Sequence, residues 1–240
     1  MAEEFEERDL TGASFWGVRL RDATYRDVDF TGGRMHHVLL QDVEIDGFVD
    51  RLVINGVDVT DHVNANDPWQ PLRGLLQPTH VASIRQGWDE LDAAWTETLA
   101  AAAELTPEQR RRRVDGEWSF LETLRHLVFA VDKWFTVPIT GGRFQALGLP
   151  NSGSVDFPFD GIDPAADPSE DEILAARRRM VEALDAHLND VTDDELPRRV
   201  EVPESGTATV LQCWHVVLEE GFEHLRYARR DLATLVGGTA

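Results

Sequence analysis

One cysteine in 240 residues, Cys213, leaves no partner for an intramolecular disulfide and excludes a cysteine-cluster metal site. Lysine is equally scarce: Lys133 is alone among 23 basic residues, the other 22 being arginine. That usage reflects the base composition of a genome and carries no chemistry by itself. Bases as a group are outnumbered by 44 acids, for a net charge of −21. The imbalance speaks against nucleic acid, whose phosphates are gripped mainly by Lys and Arg, and against an anionic membrane surface. Long apolar runs are also missing. The longest uncharged stretch, residues 207–218, is too short to span a bilayer. Residues 1–10 are acidic and lack the basic-then-apolar pattern of a secretory leader, so a soluble, cytoplasmic protein is expected. The 42% hydrophobic content is that of a folded chain, and the length allows one or two domains.

The chain obeys two periodicities. Up to residue 66, large apolar side chains recur every five positions: Leu10, Phe15, Leu20, Tyr25, Phe30, Met35, Leu40 and Ile45. Two residues before most of them stands a small or β-branched residue, from Ala13 and Val18 to Val43. Neither a helix nor a strand produces a period of five. A coil in which each pentapeptide forms one side and turns a corner does. The pattern resembles the pentapeptide-repeat family, which implies a right-handed quadrilateral β-helix of about two turns, a short solenoid. The family's acidic residue before the central position is kept at Asp9 and Asp29. Residues 51–63 leave the period, and Asn55-Gly56 signals a β-hairpin closing the coil. A Pro-bearing linker, residues 66–69, follows. The expected division is residues 1–66 as β-helix and hairpin, then residues 67–240.

From about Thr79 the pattern is helical. Ile84, Trp88, Leu91, Trp95, Leu99 and Ala102 give a first amphipathic helix over residues 81–105. Ser119 and Glu122 form a capping box that opens a second, carrying Leu124 to Phe135 and stopped by Gly141-Gly142. Ser169 starts a third over residues 170–189, and Thr207 or Thr209 starts a fourth that runs to about Val236. Four long amphipathic helices imply a four-helix bundle. Between the second and third lies a loop of residues 141–168 bearing Phe144, Leu147, Leu149, Phe157 and Phe159. Its aromatics point to a loop folded over something, such as a pocket mouth.

Helix four places Glu220 and His224 one turn apart on a single face, a spacing at which a carboxylate and an imidazole can share a metal ion. His126 sits mid-helix in helix two beside Leu124, Leu127 and Val128. If helices two and four are neighbours, His126 completes a His/Glu/His set. Taken singly, each of the three is more simply a hydrogen-bonded or core residue. Two imidazoles and a carboxylate with open positions suit zinc, nickel or non-haem iron alike.

The stretch from Trp118 through Ser119 and Glu122 to His126, the long loop, and the run from Glu220 through His224 to Tyr227 and Ala228 resemble the DinB-like superfamily. That superfamily includes mycothiol-dependent maleylpyruvate isomerases and bacillithiol S-transferases. The resemblance covers roughly residues 71–236 and implies a four-helix bundle with one divalent metal in its core. Members commonly use three histidines. Here Glu220 stands at one of those positions, a variation similar to the mycothiol-dependent isomerases, and Leu225 replaces a further histidine. The resemblance favours zinc, held by His126, Glu220 and His224. It implies an enzyme that activates a low-molecular-weight, mycothiol-like thiol or a water for S-transfer, isomerisation or hydrolysis of a small electrophile. The alternative is a non-catalytic interaction protein, in which the acidic coil (14 acids and 6 bases in residues 1–66) docks a protein partner or a second copy and any metal is structural.

Other residues are set aside. Cys213 lies two turns from Glu220, about 10 Å along the helix, and reads as a buried thiol. His215 points away from His224, with Glu219 as its expected partner. His36 and His37 read as solvent-facing, His80 as a poor place for a cation at a helix start, and His62 and His187 as lacking visible partners. Tyr227 could orient a substrate but reads as packing, and Glu223 as a contact to Arg226 or Tyr227. The runs Arg110 to Arg113 and Arg177 to Arg179 read as solvated faces, although the first could hold the carboxylates of an acidic thiol.

Overall fold

The computed structural model describes residues 5, 8–25, 28–151 and 159–237. The chain divides into two compact units, Met1–Gly47 and Phe48–Ala240.

In the first unit the expected quadrilateral β-helix is absent. Among its described residues none forms a strand, and the chain makes turns instead. Ala13, Ala23 and Gly33 each donate a backbone N–H to the carbonyl three residues earlier, that of Leu10, Leu20 and Phe30. Asp9 and Asp29 accept from the N–H groups of Thr11 and Thr31. Left-handed φ angles recur at Gly12, Gly17, Asp22, Gly32, His37 and Asp42. The period of five is therefore a period of turns. The large apolar residues that should fill a coil's interior, Leu10 to Ile45, stand 47–68% exposed. A solenoid gains its stability by stacking repeat upon repeat. Eight pentapeptides supply two layers at most, too few to bury a central column.

The second unit opens with a tight hairpin, β1 (Val53–Ile54) and β2 (Val57–Asp58), turning at Asn55 and Gly56, both with positive φ. The chain then forms α1 (Thr60–Asn66) and α2 (Gln70–Arg73). The residues expected as a linker are docked: Asp67 accepts from Trp69 N and from Arg73 Nε, both at 2.8 Å. Trp69 meets Phe222 edge-on at 5.9 Å.

Four long helices follow, as their spacing predicts: α3 (Val81–Ala103), α5 (Phe120–Val131), α6 (Glu170–Asp190) and α7 (Val210–Gly237), with the short α4 (Pro107–Arg110) between the first two. α7 packs on α3 and α5, and α5 on α6. The ring closes between α3 and α6, where Trp88 donates its indole N–H to Asp185 at 2.7 Å and Arg177 pairs with Asp92 at 3.1 Å. The core is made of the 3–4 stripes of these helices: Ile84 and Leu91, Leu124 and Val128, Ile173 and Leu184, Trp214, Leu218, Phe222 and Leu225, each 2% exposed or less. Burying one such side chain is worth about 1.5–3 kcal/mol. Gly221 lets α7 approach α3, since a Cβ there would stand 2.7 Å from Leu91 Cδ2.

Two features escape the periodicity. α5 does not continue as α-helix but widens into a π turn, Asp132–Thr136. A second hairpin, β3 (Arg199–Val202) and β4 (Gly206–Thr209), leads into α7 and buries Val200 and Val202. No helix among the described residues is long and apolar enough to cross a membrane.

Candidate metal centre

The site is built where α5 and α7 run antiparallel. Its position on α5 is set by the capping box before it: Glu122 accepts from Ser119 N at 2.8 Å, and Ser119 Oγ accepts from Glu122 N at 3.4 Å. Burial pushes the Glu122 carboxyl up, but its bonds to Arg113 and Ser119 outweigh this and hold it at about 2. On α7, Glu220 and His224 are one turn apart, beside the close approach at Gly221.

These helices bring His126, Glu220 and His224 together. Each offers one ligand atom, and the three atoms lie within 4.8 Å of one another. His126 is only 2% exposed. Its Nδ1 lies 2.9 Å from the Leu149 carbonyl and its Nε2 lies 3.4 Å from Glu220 Oε2. His224 Nδ1 donates to the Glu220 backbone carbonyl at 2.9 Å and lies 3.5 Å from Glu220 Oε2. The two imidazoles stack at 4.7 Å between centroids, and Trp118 lies over both, at 4.5 Å and 6.1 Å.

A neutral imidazole has one N–H. With Nδ1–H given to Leu149, His126 turns a bare lone pair toward a carboxylate. A cation held between them resolves that opposition, and a divalent metal ion fits the donor set of two imidazoles and one carboxylate. The electrostatics agree. Burial holds the His224 imidazole down at about 4 against the pull of Glu220, so it is a neutral ligand at neutral pH. Burial pushes Glu220 up, but the two imidazoles beside it and the Lys133 charge outweigh it and hold its carboxyl below the usual range.

The loop after α5 closes one side. Arg125 Nε donates to the Leu147 carbonyl at 2.8 Å, Leu149 N to the Arg125 carbonyl at 3.3 Å, and Gln145 N to the buried Asp132 carboxylate at 2.8 Å. Phe144 and Phe159 pack on Phe129, whose ring is 5.8 Å from His126. Phe157 lies outside the described residues.

The remaining expectations resolve individually. Tyr227, 39% exposed, meets His224 edge-on at 6.5 Å. Cys213 is fully buried and burial pushes its thiol up to about 11, so it is held as a thiol at neutral pH. His215 bonds the Pro78 carbonyl at 2.7 Å. His80 caps α3 by accepting from Ser83 N at 3.0 Å, and Glu223 pairs with Arg226 at 2.9 Å. The arginine runs are tied down: Arg113 grips Glu122, Arg110 grips Glu170 and the Leu105 carbonyl, and Arg177 grips Asp92. The Leu149 carbonyl has no signal in the sequence that singles it out, and spacing does not place the Trp118 ring over the imidazoles.

A helical bundle with a buried His/Glu/His group between two antiparallel helices defines the class of protein. The sequence model of the DinB superfamily matches residues 90–228, more than half of the chain and all of the site, so the chain belongs to that superfamily. No curated protein and no solved structure matches it.

Proposed function

We propose that His126, Glu220 and His224 bind one divalent ion, zinc, and that the bundle is a metal-dependent enzyme acting on a small electrophile. The observation that carries this reading is a buried imidazole nitrogen of His126 lying 3.4 Å from a Glu220 carboxylate oxygen while the other ring nitrogen is taken by a backbone carbonyl. When bound, the ion supplies Lewis acidity, lowering the pKa of a thiol or a water enough to make it a nucleophile near neutral pH. The chain's own residues hold and shield. Leu149 fixes the tautomer of His126, Glu220 supplies the one negative charge among the ligands, and Trp118 covers the imidazoles against water. Cys213 is withdrawn from the chemistry, so the nucleophile is external. A low-molecular-weight thiol of the mycothiol type is the co-substrate this reading favours, for S-transfer or isomerisation, with water and hydrolysis as the second course. A cytoplasmic setting, where thiols stay reduced, suits it.

The test is metal analysis. Protein stripped with chelator is expected to take up about one equivalent of zinc, and His126→Ala to take up none with its helicity unchanged. Zinc uptake that is the same in both proteins rejects the reading.

One observation favours a second reading. The row of half-exposed apolar residues from Leu10 to Ile45 has no cover within its own unit. In that reading residues 5–47 take a protein partner or a second copy, and the metal is structural. Full thiol-transfer activity in protein lacking residues 1–47 separates the two.

A further inference from the structure

The three candidate ligands are not held alike. Glu220 and His224 share α7, where one helical turn sets their spacing, and the His224 ring is tied to the Glu220 carbonyl at 2.9 Å. His126 comes alone from α5. Among the described residues its ring has two polar partners, the Glu220 carboxylate and the carbonyl of Leu149, 23 residues further along the chain. A carbonyl only accepts, so Nδ1 carries the proton and Nε2 is left for a metal. The place of one main-chain oxygen therefore decides which nitrogen of His126 can be a ligand.

Arg125, the residue before His126, grips that segment twice. Its Nε donates to the Leu147 carbonyl at 2.8 Å, and its own carbonyl accepts from Leu149 N at 3.3 Å. Between the two gripped residues stands Gly148, which is buried. A Cβ there would lie 3.2 Å from the Gln145 carbonyl oxygen and 3.3 Å from Phe129 Cβ, so the segment lies close against α5. Arg125 is a costly residue for this position. It is half-buried, and burial pushes its guanidinium below the ordinary value. Among the described residues it has no carboxylate within ion-pair distance, and its side-chain hydrogen bond runs to a neutral carbonyl. An apolar side chain would pack there without the cost of desolvating a charge. What the guanidinium adds is a charged, directional donor aimed at the segment that carries Leu149.

We propose that Arg125 is a positioning residue of the metal centre: by holding Leu147 it keeps the Leu149 carbonyl against His126 and so selects the Nδ1–H tautomer. The proposal rests on the metal-centre reading for its purpose. Its test stands apart from that reading, because the tautomer is a property of the metal-free protein. Partners that orient a ligand imidazole in this way govern metal affinity without touching the metal.

Long-range proton–nitrogen NMR of the full-length, metal-free protein, at a pH where imidazoles are neutral, reads the two ring nitrogens of His126 separately. The parent is expected to show the Nδ1–H form alone. Arg125→Met keeps the length of the side chain and removes the donor. It is expected to mix the two tautomers and to weaken zinc binding about tenfold. Gly148→Ala pushes the same segment off Phe129 with Arg125 untouched, and the same mixing is expected, so the test survives if Arg125→Met does not fold. An arginine that only steadies the loop behaves differently: both variants lower the Tm while His126 stays wholly in the Nδ1–H form, which overturns the proposal. A parent in the Nε2–H form overturns it as well. Absence of zinc uptake by the parent overturns the metal-centre reading, and the tautomer of the variants still decides this one. Zinc uptake with the tautomer unmoved overturns this proposal alone.

Discussion

Trp95 donates its indole N–H to the carbonyl of Gly221 at 2.9 Å, one residue past Glu220. The bond is buried and joins α3 to α7 at the level of the metal-ligand set, so the backbone that carries Glu220 is pinned from the opposite side of the bundle. Gly221→Ala puts a methyl 2.7 Å from Leu91 Cδ2, where the helices must part. Overpacking of this kind costs about 1–3 kcal/mol, and a thermal melt is expected to show a Tm lowered by roughly 3–10 °C. Zinc affinity is expected to fall with it, because Glu220 moves with the helix. A variant with unchanged Tm and zinc affinity shows that α7 has slack at this point.

Removal of the carboxylate tests the ligand set from the other helix. Glu220→Ala leaves two neutral imidazoles and no negative charge, and zinc affinity is expected to drop at least about tenfold with unchanged far-UV dichroism. Competition against a chromophoric chelator gives the number. Affinity equal to that of the parent protein means that zinc sits elsewhere.

Acid is expected to destabilise the metal-free protein in a defined window. The unfolded chain protonates the imidazole of residue 224 near 6.5, whereas the folded protein resists until about 4. Between these values the unfolded state holds more protons, so the stability contributed by a neutral His224 is complete above pH 6.5 and is lost as the pH falls toward 4. Glu220, kept below its ordinary range, extends the loss at the acid end. Urea melts at pH 7.5, 6, 5 and 4.5 are expected to give a falling midpoint in the parent and a flatter line in His224→Asn. Parallel slopes in the two proteins place the titration on other groups.

The boundary after Gly47 predicts the outcome of a deletion. Protein lacking residues 1–47 is expected to keep its near-UV dichroism and its zinc uptake, because the described core lies within Phe48–Ala240. A molten spectrum shows that the two units depend on one another.

Much of the bundle was legible because its cause is local. The stripes from Ile84 to Ala102 and from Trp214 to Leu235 follow the helical repeat, and Ser119 and Ser169 each face a glutamate three residues on. Spacing alone pairs Glu220 with His224; His126 joins them only if the two helices are neighbours, as the resemblance implied. What spacing could not supply was tertiary or backbone in origin. A period of five in residues 10–45 dictates where the chain turns, but whether those turns stack into strands depends on contacts between layers, and with so few layers they do not. The π turn, Asp132–Thr136, carries no proline or glycine to announce it. The β3–β4 hairpin is four residues a side, too short for alternation to stand out. The partner of His126 is a carbonyl, and every residue has one.

That last point reaches beyond this molecule. Residue 149 meets the imidazole through its main chain, so a change there to Met or Val is expected to leave the ring oriented. The spacing between Arg125 and that carbonyl is not free. An amino acid inserted between Gly141 and Leu149 is expected to displace that carbonyl from the imidazole. In this protein the orientation of a buried ring depends on the length of a connecting segment.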